Sequence, residues 1–259
     1  MKYILIVVCY LVTVTATYAQ SEKRKFRAPA WITHSDNVDI VGVSFAAFPK
    51  GVFKKDTTLA RTFGIRIEPS LIAILSPLMP KSPVSTSYEQ FQRSIAVPPT
   101  EIIYGINLSS GTFGETHIYG LSSSLLVQYL YRMNGVAIAG LSNMTESGNG
   151  VFISVMGNQF YKGNGVSISF GNHSAYFNGI QVGALNTINT QGAGMQLSLS
   201  NEATNFTGIQ IAAYNEGDGI RGVQIGLTNV AKNFRGIQLG FWNKNDKRSL
   251  PLINWQFSN

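Results

Sequence analysis

GIQIAAYN at residues 208–215, GVQIGLTN at 222–229 and GIQLGFWN at 236–243 are one phrase written three times, each copy starting 14 residues after the last. Followed backwards, the phrase's glycine recurs at Gly105, Gly120, Gly135, Gly150, Gly165, Gly179, Gly194, Gly208, Gly222 and Gly236, with gaps of 14 or 15 residues. Asparagines keep step at Asn143, Asn158, Asn172, Asn186, Asn201, Asn215, Asn229 and Asn243. Glutamines fill a further column at Gln181, Gln196, Gln210, Gln224 and Gln238. Self-similarity at a fixed period is read before any local signal, because it names the architecture.

Within GVQIGLTN, Val223, Ile225 and Leu227 alternate with Gln224, Gly226 and Thr228. This is the period of a strand with one buried face. The residues between phrases are turn formers with one apolar member, Ile188, Phe206, Ile220 or Phe234, placed to face the phrase strand across a thin core. Two architectures put a strand at this interval. In a parallel β-solenoid each unit is one coil, and like residues stack about 4.8 Å apart. In an antiparallel barrel the natural repeat is a hairpin, and equivalent residues of successive strands fall at opposite rims. Asn and Gln columns favour the solenoid, because stacked amides hydrogen-bond along the stack and every coil then selects the same residue. The expected fold is therefore all-β, a parallel solenoid of 14- to 15-residue coils with terminal caps, and the alternative is an antiparallel β-barrel of the outer membrane.

The first 19 residues have the form of a signal peptide: Lys2, an apolar run from Tyr3 to Val14, then Thr17 and Ala19 as small residues before a cut. Cys9, the one cysteine, lies inside that run, so the processed chain would hold no disulfide and no thiolate. Loss of the leader would change the formal charge from +7 to +6. The excess gathers near KRKFR at 23–27, a solvated leader or a patch for an anionic surface. Nucleic acid is not an expected partner, since basic and aromatic residues are not interleaved.

Upstream the repeat loosens. Gly42 in VGVSFAAF and Gly64 in FGIRIEPS read as degenerate first coils. The 41 residues from Gly64 to Gly105 include a five-proline stretch at 76–99, which proline's missing N–H keeps out of a strand ladder. It is an insertion and a candidate functional loop. The expected organisation is a signal peptide at 1–19, a leader and N-terminal cap at 20–41, degenerate coils with the insertion at 42–104, the repeat region at 105–243 and a C-terminal cap at 244–259. Caps are expected because an open stack exposes unpaired strand edges.

RGVQIGLTN, RGIQLGFWN and the closing KRSLPLINWQF resemble the surface repeat-containing proteins of the Leptospira type, exported repeat proteins of Bacteroidetes and spirochaetes. The likeness is close over the C-terminal phrases and looser through 105–207. It implies a location in the cell envelope, at the periplasm or outer surface, and carries over no activity and no catalytic position.

Side-chain chemistry is sparse. His34, His117 and His173 have no second histidine at ligand spacing. His34 with Asp36 and Asp39 lacks the glycine and terminal Glu of a calcium loop. Glu115 and His117 lie two residues apart on one strand face, as a surface pair. The glycine phrases do not open helices, so they are not phosphate loops. Glycosidase chemistry needs two acids on facing surfaces; no acid recurs in a column, and a glycan-binding or glycan-cleaving solenoid is a further alternative. The expectation is a protein without catalytic activity, cofactor or metal, structural or adhesive in role. Envelope glycan or another surface protein is the expected kind of partner, and membrane association stays open. An outward Gln ladder would suit a repeating glycan. An inward one would satisfy its own amides.

Overall fold

Pairing at an offset of one repeat runs from end to end of the computed structural model, which describes residues 24–34, 37–47, 50, 58–70 and 82–257. The strands are β1 (Lys25–Arg27), β2 (Ala30–Ile32), β3 (Val38–Phe45), β4 (Ala60–Glu68), β5 (Glu101–Ser109), β6 (Thr116–Ser124), β7 (Val127–Ala139), β8 (Ser142–Ser154), β9 (Gly157–Ile168), β10 (Gly171–Val182), β11 (Leu185–Leu197), β12 (Ser200–Ile211), β13 (Tyr214–Lys244) and β14 (Ser249–Gln256). One helix, α1 (Tyr88–Ala96), lies between β4 and β5. From β3 to β13 each strand pairs in parallel with the next in sequence. The molecule is a parallel β-solenoid. The antiparallel barrel is excluded, because like residues stack on like: Gly208 pairs with Gly222, Gln210 with Gln224 and Asn201 with Asn215.

The glycine column is the corner of every coil. Twelve glycines from Gly42 to Gly236 hold φ between +112° and +147°, a region closed to side chains. A Cβ on Gly208 would sit 2.0 Å from the carbonyl oxygen of Gly194 in the coil beneath. Both conformation and space therefore demand glycine. Gly42 and Gly64 stand in the same register as Gly105.

The inside of the strand is its amide side. Ordinarily the apolar set of an alternating strand is the buried one. Here Gln224 is fully buried, while Ile225 is 38% and Leu227 is 65% exposed. The interior has room for the amides because the residue two after each Gln is small: Gly183, Ser198, Ala212, Gly226 and Gly240. A Cβ on Gly226 would lie 2.8 Å from the Asn215 side-chain nitrogen.

Beside the amides, the apolar core is balanced coil by coil. Phe160 shares its coil with Gly163, Ser174 with Phe177, Ile188 with Gly192, Ala203 with Phe206, Gly217 with Ile220 and Ala231 with Phe234. All six large members belong to one buried cluster. In these coils two large residues would not fit: a Cβ on Gly217 would fall 2.2 Å from Ile220 Cδ1 and one on Gly192 2.5 Å from Ile188 Cδ1; β7 does hold two, Leu130 and Met133, where the position equivalent to the Gln column is only Ala137. Interiors are packed to crystal density, so total volume per coil is what is conserved.

The ends differ from the middle. At the C-terminus β14 lies antiparallel on the last coil, pairing Ile237 with Trp255 and Leu239 with Ile253. At the N-terminus β1 and β2 both pair with β3. The described part of the insertion, from Ser82, lies on the outside of the stack. Within it α1 starts at Ser87, whose Oγ accepts from the Gln90 amide. Phe91 stacks on Tyr161 with ring centroids 4.3 Å apart.

Candidate functional site

The Asn column forms an unbroken buried ladder. Asn143 donates to Asn158 (2.8 Å), Asn158 to Asn172 (3.3 Å), Asn172 to Asn186 (2.8 Å) and Asn186 to Asn201 (3.0 Å). Asn201 donates to Asn215 (2.9 Å), Asn215 to Asn229 (2.8 Å) and Asn229 to Asn243 (2.7 Å). The second hydrogen of each amide closes the coil's turn: Asn201 reaches the Ile211 carbonyl at 3.2 Å and Asn229 the Leu239 carbonyl at 3.0 Å. The Gln ladder runs the other way. Gln238 donates to Gln224 (2.8 Å), Gln224 to Gln210 (2.9 Å), Gln210 to Gln196 (2.7 Å) and Gln196 to Gln181 (2.9 Å). The two columns therefore point their amide dipoles in opposite senses along the axis. Asn254 of β14 donates to Gln238 at 3.1 Å and so closes the Gln ladder.

These thirteen residues are structural, and the Gln column is no comb for a glycan, because every member is buried. Buried amides are tolerable only when their donors and acceptors are met, and stacking meets them. Ahead of Gln181 the equivalent positions are Ser44, Arg66, Asn107, Ser122, Ala137, Phe152 and Ser167. Arg66 is fully buried there, bound to Glu68 (2.6 Å), Asn107 (2.9 Å) and Glu101. Burial opposes its charge, but the fields of Glu101 and Glu68 outweigh that and hold its pKa above the ordinary value. Burial raises the pKa of Glu68 against the pull of Arg66, and the nearby Glu101 adds to the rise.

On the outward side of the phrase strand, what faces solvent is apolar. Counting from each column glycine as zero, position 1 is Val43, Ile65, Ile106, Leu121, Val136, Val151, Val166, Ile180, Met195, Ile209, Val223 or Ile237. Position 3 is aliphatic or aromatic in every coil but one, where it is Ser123. Position 5 holds Leu125, Val155, Phe170, Leu199, Leu227 and Phe241, 59% to 77% exposed. None of these positions in any of the twelve coils is charged. β14 extends the face, since Trp255 (46% exposed) lies beside Ile237 and Ile253 (51%) beside Leu239. Twelve coils at about 4.8 Å and three columns across give a face of roughly 800 Å². That exceeds the contiguous apolar patch a soluble monomer usually shows.

The neighbouring column, one residue before each glycine, is of another kind. After Val41 it holds stacked rings, Phe63 on Tyr104 at 5.1 Å and Tyr104 on Tyr119 at 5.2 Å. It continues as an exposed amide ladder, in which Asn149 donates to Asn134 (2.8 Å), Asn164 to Asn149 (2.8 Å) and Asn178 to Asn164 (3.1 Å). The sequence reading passed over this ladder, although an Asn before four successive column glycines is plain in the chain. The column ends in Arg221 and Arg235, which line a polar hollow of about 680 Å³ with Thr207 and Asp246.

The remaining candidates are structural in placement. His117 pairs in register with Arg132, and burial together with that guanidinium lowers its pKa to about 4. It is neutral at physiological pH. Asp39 is held by Arg61 (2.6 and 2.7 Å) and Arg24 (2.8 Å), which lower its pKa, while Asp36 lies outside the described residues. Glu146 accepts from Tyr129 (2.9 Å) and from the Ser85 amide and hydroxyl (both 3.0 Å), and so pins the insertion to β7 and β8. Among the described residues no three His, Cys, Asp or Glu side chains group as metal ligands. Comparison with known proteins found no matching family model, no matching curated protein and no matching solved structure.

Proposed function

We propose that this protein is an exported, non-catalytic scaffold of the cell envelope, structural or adhesive in role, which docks through its apolar solenoid face. The observation that carries the reading is the uncharged face built from positions 1, 3 and 5 of twelve coils. A sheet turned with its amides in and its aliphatic residues out exposes a surface whose burial is favourable at about 25 cal/mol per Å². Such a surface is suited to docking. The interior amide ladders contribute rigidity, holding the face flat along the stack. The signal-like first 19 residues support export. The resemblance of RGVQIGLTN, RGIQLGFWN and KRSLPLINWQF to exported surface repeat proteins supports an envelope location.

Expression of the full chain with a C-terminal tag in a diderm bacterium tests this. The expected result is a chain lacking residues 1–19 by mass spectrometry, recovered with the envelope and, when added from outside, binding purified envelopes that carry the same chain. Changing Leu199 and Leu227 together to Glu should abolish that binding. A cytoplasmic chain with its N-terminus intact, or envelope binding that survives the double change, would refute the proposal.

A further inference from the structure

We infer that the occupant of the apolar face is a second copy of this chain, two solenoids packed face to face about a two-fold axis. The inference rests on the docking role proposed above and names the partner.

Size is the first argument. A face of roughly 800 Å² matches what one partner contributes to a stable protein–protein interface. Composition is the second, since homodimer interfaces are more apolar than transient ones and exclude charge from their centre. Positions 1, 3 and 5 carry no charge. The flanking column is polar from Asn134 to Asn178 and, after Ala193, at Thr207, Arg221 and Arg235, as the rim of such an interface is.

Relief is the third argument, and it selects a second copy over a lipid surface. From the fourth coil onward, after Ala47, Pro69 and Ser110, the order along position 5 is Leu125, Gly140, Val155, Phe170, Ala184, Leu199, Ala213, Leu227, Phe241. Each small residue lies between two large ones. Successive members are joined by backbone bonds: the Phe170 amide meets the Val155 carbonyl (3.1 Å), the Ala184 amide that of Phe170 (2.8 Å) and the Leu199 amide that of Ala184 (3.0 Å). The column is thus a rigid series of knobs and hollows at the spacing of the coils. A fluid acyl surface has no use for fixed relief. A partner whose knobs fit these hollows must repeat at the same coil spacing, and a second copy does so by construction. A two-fold axis then makes every contact reciprocal.

Sedimentation equilibrium of the full chain, purified without detergent, tests the inference. The wild type should have twice the mass of one chain. Leu199→Glu with Leu227→Glu should weaken the dimer more than about a hundredfold, because each places an unpaired charge in the interface. Thr207→Glu, on the flanking column, should leave it unchanged, and an unaltered β-sheet circular dichroism spectrum for all variants would show that the fold survives. Ala213→Phe fills a hollow with apolar volume, so it should weaken the dimer; a face built for lipid would instead gain binding to phosphatidylglycerol–phosphatidylcholine vesicles. A monomeric wild type, a dimer insensitive to Leu199→Glu with Leu227→Glu, or a monomer whose vesicle binding rises with Ala213→Phe would each overturn the inference. If the monomeric wild type still binds envelopes and the double Glu variant does not, the docking role stands and only the second copy is refuted. If neither dimer nor envelope binding is seen, both fall.

Discussion

Each coil is specified by a few positions with no latitude. Gly208 has φ +142° and no space for a methyl against the carbonyl of Gly194. Gly208→Ala is expected to destabilise by at least about 3 kcal/mol, combining an unfavourable dihedral with a backbone clash, and urea unfolding of the purified chain measures it. Glu68 supplies a second test. One guanidinium, Arg66, faces two buried carboxylates, Glu68 and Glu101, and the pKa of Glu68 is raised above its ordinary 4.5. The native state therefore holds its proton more tightly than the unfolded chain does. Stability from this group is fully present below about pH 4.5 and is lost as pH rises through the raised value. Glu68→Gln keeps an acceptor for Arg66 and Thr112 without the charge. Its melting temperature should exceed that of the wild type at pH 8 and the advantage should shrink on acidification to pH 5. An advantage independent of pH would refute the assignment.

α1 and the residues before it form a clasp on the outside of the stack. Val84 and Phe91 are buried against Tyr129 and Tyr161, and Lys162 lies 5.1 Å from the Phe91 ring centroid. The clasp touches few coils and adds nothing to the ladders within. Phe91→Ala removes about 3–5 kcal/mol of local packing. It is expected to open residues 82–100 to limited proteolysis while the melting temperature of the solenoid changes little. Equal loss of both would mean that the insertion is part of the cooperative core. The helix itself was legible in part: Ser87 and Gln90 stand in the spacing of an N-terminal cap, but five prolines nearby draw the reading towards irregular chain.

A stack of coils in which each touches only its neighbours has two vulnerable ends. β14 covers one of them by running antiparallel and pairing with the last coil's backbone, while Pro251, which has no N–H, falls at the register shift between Gly240 and Asn243. Arg248 braces the cap: its guanidinium lies 4.8 Å from the Trp255 ring centroid, its Nε donates to Asn254 Oδ1 at 3.0 Å and its Nη2 to the Trp255 carbonyl. Deleting residues 245–259 should uncover an in-register parallel edge and the open end of the Gln ladder. The expected outcome is concentration-dependent end-to-end assembly, read as rising light scattering and thioflavin fluorescence at constant secondary structure. A truncated chain that stays in solution at its normal size would show that the edge needs no cover.

The period of Gly, Gln and Asn was enough to predict a stacked parallel spiral, because an amide gains from an identical neighbour only when coils lie in register. The coil length, the corner glycines and the ladder members Asn143 through Asn243 and Gln181 through Gln238 were all readable for that reason. Which side of the strand faces inward was not readable. Alternation defines two faces without saying which one is buried, and Val223 and Ile225 look like core until the far wall of the coil is in place. That wall brings its own Phe206, Ile220 and Phe234 and leaves, opposite small residues such as Ala212 and Gly226, space of the size and polarity of an amide. Volume and hydrogen-bond satisfaction are properties of the closed coil and its neighbours together. They turned the amides inward and left the aliphatic columns outside.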